Sequence, residues 1–393
     1  MRMGSLYFAS DKAIFDALTQ RSLTSAELRK VFLSRGIVIS NDSNKKFLAT
    51  RFSALFHDYY DYRNLSLLVG GRDSREKTTN VVVTTPVSKE KLTDALNSVK
   101  EWLVDAQHEQ AEVAIHGDQL KLTVKYQKLD LSQAEFRQVV EKTAEVIIEK
   151  QGSGWKITGP MNDKFKDITN ELYSQIEIAT ENDVATRTIS LAAIPDAGVR
   201  TNFLRSLIRN LKDMKVVDVV DVSTFNPKDR DDDDLDLSDE ALVIEDSIEV
   251  DLEEQDEDGE VDGDPETELA KLQPDARVHK IIRIDKASLK GKGVLESKQL
   301  IDLEGHGFYL WKIRWTACEK LVGSELVLFE AQFGNQAQCC DFSYIVRGVY
   351  NYNAGKYAKN TVRPGPVLEQ KLKVRLEEAA QKTLDDIQRS VLP

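Results

Sequence analysis

The sequence predicts an α+β multidomain protein. It comprises a small helical domain, a ferredoxin-like or related α+β domain, and an antiparallel sheet followed by a long C-terminal helix. Three observations carry this. Apolar residues recur at helical spacing near the start, strand-like runs and turn signals dominate from about residue 78, and an acidic tract interrupts the pattern. Between Asp231 and Glu268 there are 21 Asp and Glu residues and no Lys or Arg. The chain as a whole has a net charge of −13, yet outside the tract 53 basic side chains face 45 acidic ones, a net of +8. The expected divisions are a helical module at 1–75, an α+β domain at 76–228, an acidic disordered linker at 229–275, and a sheet with its helix at 276–393.

A length of 393 residues suits two or three domains, and 41% hydrophobic content with 14 Phe, 11 Tyr and 4 Trp is enough to build cores on both sides of the tract. The start, Met1-Arg2-Met3-Gly4-Ser5, leads into a polar amphipathic segment, so no signal peptide is expected. No stretch approaches the roughly 18–20 apolar residues that span a bilayer, so no membrane partner is expected. Cys318, Cys339 and Cys340 make an odd set with one adjacent pair, which argues against a disulfide framework and for a reducing, cytoplasmic setting.

In the first domain, Thr24 can cap a helix and Glu27, three residues on, can close a capping box. Leu28, Val31 and Phe32 then share one face, and Gly36 gives a stop signal. After the extended link Ile37-Val38-Ile39, a second helix starts at Asn41-Asp42-Ser43 and runs through Leu48, Phe52, Leu55 and Phe56.

From residue 80, Asn80–Thr85 is a strand candidate and Ser88 opens an amphipathic helix through Leu103. Glu112–Ile115 and Leu120–Tyr126 flank the turn His116-Gly117-Asp118-Gln119. A helix is expected from Ser132 to about Lys142, then Val146-Ile147-Ile148, the turn Gln151–Gly154, and Trp155-Lys156-Ile157. Thr188–Leu191, a helix from Val199 to Leu211, and Val216–Val222 follow. The front order β-α-β-β-α-β suggests the ferredoxin-like or related split sheet. The tract is expected to be disordered, although its Leu242-Val243-Ile244, Ile248 and Val250 alternate with acids in the manner of a docking segment. Beyond it, strands are expected at 280–284, 293–303, 308–316, 325–333 and 339–349. A helix follows Pro364-Gly365-Pro366, with Leu368, Leu372, Leu376, Ala379, Ala380, Leu384, Ile387 and Val391 on one face. That stripe packs on the sheet or makes a homodimer.

Residues 22–56 resemble the SAP, or helix-extended-helix, DNA-binding motif. The resemblance rests on Leu23, Glu27-Leu28-Arg29, Phe32-Leu33, Arg35-Gly36-Ile37, Ile39-Ser40, Lys45-Lys46, Leu48 and Arg51-Phe52. It implies phosphate contacts from Lys45, Lys46 and Arg51. The link before Lys45 is longer than the Gly-Lys turn usual in that family, and the alternative is a helical hairpin with solvated lysines. Residues 1–80 carry 13 basic and 8 acidic side chains, which leans toward DNA.

No phosphate-cradling glycine loop, dinucleotide fingerprint or nucleophile elbow is present, and the five histidines lack metal-ligand spacing. Neighbouring side chains on a strand point to opposite faces, so Cys339 and Cys340 cannot share a zinc. The enzyme-like grouping is Glu296, Asp302, Glu304, Glu330 and Gln332. Asp302 or Glu304 with Glu330 and Gln332 could hold Mg²⁺ and an attacking water, as in metal-dependent nucleases. Binding chemistry is richer. Arg277, Lys280, Arg283, Lys286, Lys290, Lys292 and Lys298 put seven positive charges in 22 residues. Alternation from Tyr309 to Trp315 sends Lys312 and Arg314 to one face, a phosphate-contacting surface if exposed.

The expected function is therefore a non-catalytic nucleic-acid-binding adaptor, with DNA favoured and no cofactor. It would be an accessory subunit of a multi-protein system, bacterial antiviral defence being one setting, with a linker that competes for its basic surfaces or meets a protein partner. A nuclease using Mg²⁺ in its C-terminal domain and a protein-interaction scaffold are the alternatives.

Overall fold

A computed structural model describes residues 9–20, 23–69, 75–129, 136, 138–227, 248–252, 286–320, 324–353 and 355–391. The chain divides into two compact units, residues 1–76 with 82–186, and residues 77–81 with 187–393.

The first unit opens with four helices, α1 (Asp11–Thr19), α2 (Ser25–Ser34), α3 (Lys45–Ser53) and α4 (Tyr59–Val69). The capping box forms at α2: the Thr24 hydroxyl accepts from the Glu27 N–H at 3.2 Å, and the Glu27 carboxylate accepts from the Thr24 N–H at 2.7 Å. Ile14, Leu18, Leu28, Phe32, Leu48, Phe52 and Leu65 close a core, in which Phe32 and Phe52 meet edge-on at 5.1 Å. Phe56, expected on the buried stripe, lies beyond the end of α3 and is 97% exposed.

Then come β1 (Thr78–Val83), α5 (Lys89–Asp105), β2 (Gln110–His116), β3 (Gln119–Leu129), β4 (Val139–Gln151), β5 (Gly154–Pro160) and α6 (Asp163–Thr180). β2 to β5 form an antiparallel meander, turning at Gly117 and Gly152, both with positive φ. Leu96 and Val99 of α5 and Ile168 and Leu172 of α6 share a buried core with Leu122, Val146 and Ile157 of the sheet. The helix expected from Ser132 to Lys142 is corrected: residues 130–135 and 137 lie outside the described residues, and from Val139 the chain is strand. Val139-Val140 and Val146-Ile147-Ile148 suit a pleated ladder better than a helix because β-branched χ1 angles are restricted in a helix. The front therefore runs β-α-β-β-β-β-α, so the α+β class stands and the ferredoxin-like order does not.

The chain passes through the two-residue β6 (Thr186–Arg187) to the second unit's α7 (Ala197–Arg209) and β7 (Met214–Phe225). The expected domain edge at 228 thus moves to 187, because β7 pairs with a strand of the C-terminal sheet. That sheet has the order β12-β11-β10-β7-β9-β8, from β8 (Ile248–Leu252), β9 (Lys286–Gly291), β10 (Tyr309–Glu319), β11 (Leu326–Asn335) and β12 (Cys340–Tyr350). Thr78 at the start of β1 pairs with Tyr344 of β12. All these pairs are antiparallel except β8 with β9, which is parallel.

Two further corrections fall here. The strand expected at 293–303 is a short 3-10 turn (Val294–Glu296) and then helix α8 (Lys298–Gly305), capped by the Ser297 hydroxyl. Within the linker expected to be disordered, residues 248–252 form β8; the remainder of 229–275 lies outside the described residues. The expected strand at 280–284 lies outside them as well. The C-terminal helix α9 (Pro366–Val391) buries Leu372, Leu376, Ala379, Ala380, Leu384 and Ile387 in this unit's own core, with Phe203, Trp315 and Phe329. The stripe offered for a homodimer is therefore occupied within the chain. Among the described residues, no helix is long and apolar enough to cross a membrane.

Candidate nucleic-acid interface and charged sheet face

Helix α3 has two sides. Leu48, Ala49 and Phe52 are buried, while Lys46, Phe47, Thr50 and Arg51, one turn apart in pairs, are exposed. The Arg51 guanidinium stacks over the Phe47 ring, 5.3 Å from its centroid, so cation and aromatic present together. Lys45 behaves differently. Its ammonium donates to the Gln20 carbonyl, and desolvation lowers its pKa, with nearby Glu27 pulling the other way. Arg29 donates to the Ser40 carbonyl at 3.4 Å and the Ser43 carbonyl at 3.3 Å, clamping the link that leads into α3. Of the three residues implied by the motif resemblance, Lys46 and Arg51 face outward and Lys45 braces the module.

In the second unit, Lys312 and Arg314 do lie on the side of β10 away from Ile313 and Trp315, but they are not left to a ligand. Glu330 of β11, fully buried, accepts from Arg314 at 3.0 Å and from Arg347 at 2.9 Å, and pairs with Lys77 at 3.1 Å. Asp221 of β7, also buried, pairs with Arg314 at 3.1 Å and Lys312 at 3.9 Å. Gln332 accepts from Lys77 at 2.5 Å. Burial alone would raise the Glu330 pKa, but hydrogen bonds from Arg347 and the charges of Lys77, Arg347 and Lys312 outweigh it and hold the carboxyl at about 2. Desolvation lowers the Lys77 pKa, against the pull of Glu330. One Asp221 oxygen and the Ser343 hydroxyl are buried without a hydrogen-bond partner.

The residues expected to form a nuclease site are not assembled as that chemistry needs. Asp302 and Glu304 sit on α8, whose Leu300 and Leu303 pack into the helix-covered core, and Glu304 pairs with Arg205 of α7 at 2.8 Å. Glu330 faces the opposite side of the sheet, and both its oxygens are engaged by cations. Glu296 lies in the 3-10 turn. Among the described residues, no group of three or more His, Cys, Asp and Glu side chains is placed to hold a metal ion. Lys290 lies on β9 and Lys292 just after it; Lys280 and Arg283 lie outside the described residues.

Sequence reasoning missed Lys77, Asp221 and Arg347. Arg347 carried a signal, a cation alternating with the core residues Tyr344 and Val346 of β12. Lys77 carried none, being 253 residues from Glu330 along the chain. Comparison with protein-family models and with curated proteins finds no match for this chain.

Proposed function

We propose that this chain is a non-catalytic nucleic-acid-binding subunit, DNA being the favoured ligand, which docks through the outer face of α3. The carrying observation is that Lys46, Phe47, Thr50 and Arg51 form an exposed basic and aromatic strip on a helix whose opposite side is fully packed. Such a strip contacts phosphates through its cations and sugars or bases through its ring. The surplus of basic over acidic residues in positions 1–80 supports the same ligand.

In this reading the acidic tract acts as an internal competitor at a second basic surface, the edge of the sheet at β9. β8, drawn from the tract, pairs with β9 so that Asp251 stands opposite Lys290 and Glu249 opposite Ser288 in Cα register. A cytoplasmic place as the accessory component of a larger system, antiviral defence included, belongs to the proposal; three cysteines that form no disulfide support the reducing compartment.

The test is a fluorescence-anisotropy titration of full-length protein with labelled DNA across a salt series. Lys46→Glu with Arg51→Glu should weaken binding to all sequences alike. The slope of log affinity against log salt should become shallower by about one for each phosphate that is no longer neutralised. Unchanged affinity and slope would reject α3 as the interface.

A further inference from the structure

We propose that the corner joining α3 to α4 is a stacking platform for unpaired nucleic-acid bases, with Phe56 as the ring that enters between them. The inference rests on the nucleic-acid reading above and specifies which form of nucleic acid is preferred.

Phe56 is 97% exposed, yet the chain around it is fixed. Its carbonyl accepts from Arg35 at 2.6 Å. The next residue, His57, has a side chain only 3% exposed, with one ring nitrogen 3.0 Å from the Phe52 carbonyl and the other 3.3 Å from Arg35. Asp58 and Asp61 then cap each other's N–H groups at 2.8 and 3.2 Å to start α4, and Arg35 pairs with Asp61 at 3.3 Å. A flexible loop could fold a phenyl ring back onto apolar surface and recover its hydrophobic free energy. This corner is braced from both sides and holds the ring out.

The neighbourhood suits bases. Arg51, with its stacked Phe47, lies in the last turn of α3, five residues before Phe56. In the first turn of α4, Tyr60 is 68% exposed and meets Tyr59 edge-on at 5.7 Å. The acidic groups nearby are already engaged: Asp61 by Arg35, and each of Asp58 and Asp61 by the other's N–H. Aromatic rings beside cations hold single strands without reading sequence, because every base offers a π-face and every linkage a phosphate. In a closed duplex those faces are stacked away, so the platform favours single strands and unpaired bubbles.

The experiment compares full-length wild type, Phe56→Ala, and the Lys46→Glu/Arg51→Glu pair. The ligands are a labelled single strand, a duplex carrying a central unpaired bubble with 2-aminopurine, and the fully matched duplex. Phe56→Ala should leave the melting temperature unchanged, since its side chain packs on nothing. It should weaken single-strand and bubble binding about tenfold, the scale of one base stack removed. Matched-duplex binding should stay within about twofold, and the 2-aminopurine response should vanish. Single-strand binding unchanged in Phe56→Ala overturns the platform while leaving the α3 interface to stand or fall on its own pair of variants. Equal losses on all three ligands also overturn it, since Phe56 would then touch nucleic acid without regard to pairing. If wild type binds none of the three at any salt, the nucleic-acid reading fails and the platform with it.

Discussion

Replacing Glu330 with Gln tests whether this carboxylate is a structural anion. The substitution keeps volume but removes the charge that joins Arg314, Arg347 and Lys77. The fall of its pKa from the ordinary 4.5 to about 2 corresponds to about 3 kcal/mol of favourable interaction with the ionised form. Stripping one partner from a buried ion pair costs about 3–5 kcal/mol in comparable cases. Here the Arg347 and Arg314 side chains remain 40% and 30% exposed, and solvent screens the cations left behind. About 2–3 kcal/mol is the reasoned loss, lowering the melting temperature of the second unit by about 5–10 °C in calorimetry at pH 7. The folded pKa lies below the unfolded one, so this stabilisation is fully present above about pH 4.5 and is lost as pH falls toward 2. The gap between wild type and Glu330→Gln should therefore close on acidification. No gap at pH 7, or one indifferent to pH, refutes the argument. An unaltered melting temperature together with loss of Mg²⁺-dependent DNA cleavage would instead favour a catalytic role.

Deleting residues 231–268 should tighten DNA binding and steepen its salt dependence in the same anisotropy titration; identical curves would reject internal competition. Gly154→Ala should cost about 1–3 kcal/mol or more in thermal unfolding, because an added Cβ would lie 2.2 Å from the Val83 carbonyl oxygen, a backbone atom that cannot swing aside. Thr24→Ala should cost about 1 kcal/mol by removing the capping box, measured as a lowered unfolding midpoint. At pH 8, a thiol reagent should label Cys318 and Cys340 ahead of Cys339, which is buried and whose pKa burial pushes to about 11, leaving little thiolate.

What could be read in advance follows the range of the interactions involved. The Thr24–Glu27 box, the turns at Gly117 and Gly152, and the stripe of α9 are local patterns, and all appear as expected. The segments that failed were locally ambiguous. Lys298–Gly305 carries apolar residues that suit a strand as well as a short helix, and the Ser297 cap decides between them. Val139–Gln151 is strand because β3 and β5 lie on either side, a fact of tertiary pairing. The site divides in the same way. The outward face of α3 follows from helical periodicity, so Lys46 and Arg51 were legible. That Lys45 turns inward depends on the Gln20 carbonyl at the end of another helix, which no spacing reveals. Likewise alternation located Lys312 and Arg314 on one face, but whether that face is free depends on Asp221 and Glu330 arriving from neighbouring strands.

The pairing of these cations limits where the proposed competition by the acidic tract can act. Cations already paired with buried carboxylates gain little from a further anion, since the strongest part of their field is spent inside the fold. Lys312 and Arg314 are of this kind. Cα register places Glu330 opposite Arg314, Arg314 opposite Asp221, and Asp221 opposite Lys290, a row that alternates in sign across four strands. Without β8 the row ends on Lys290 at a sheet edge, beside unpaired backbone groups that invite another strand. β8 continues the ladder along β9, and the Cα register sets Asp251 opposite Lys290. A phosphate at Lys290 would supply the charge but not the ladder. The two occupants therefore differ in their response to salt: a phosphate contact weakens steeply, whereas a strand held partly by backbone hydrogen bonds weakens less. On the proposed reading, internal competition should grow relatively stronger as ionic strength rises, and added DNA should displace the tract from this edge most readily in dilute salt.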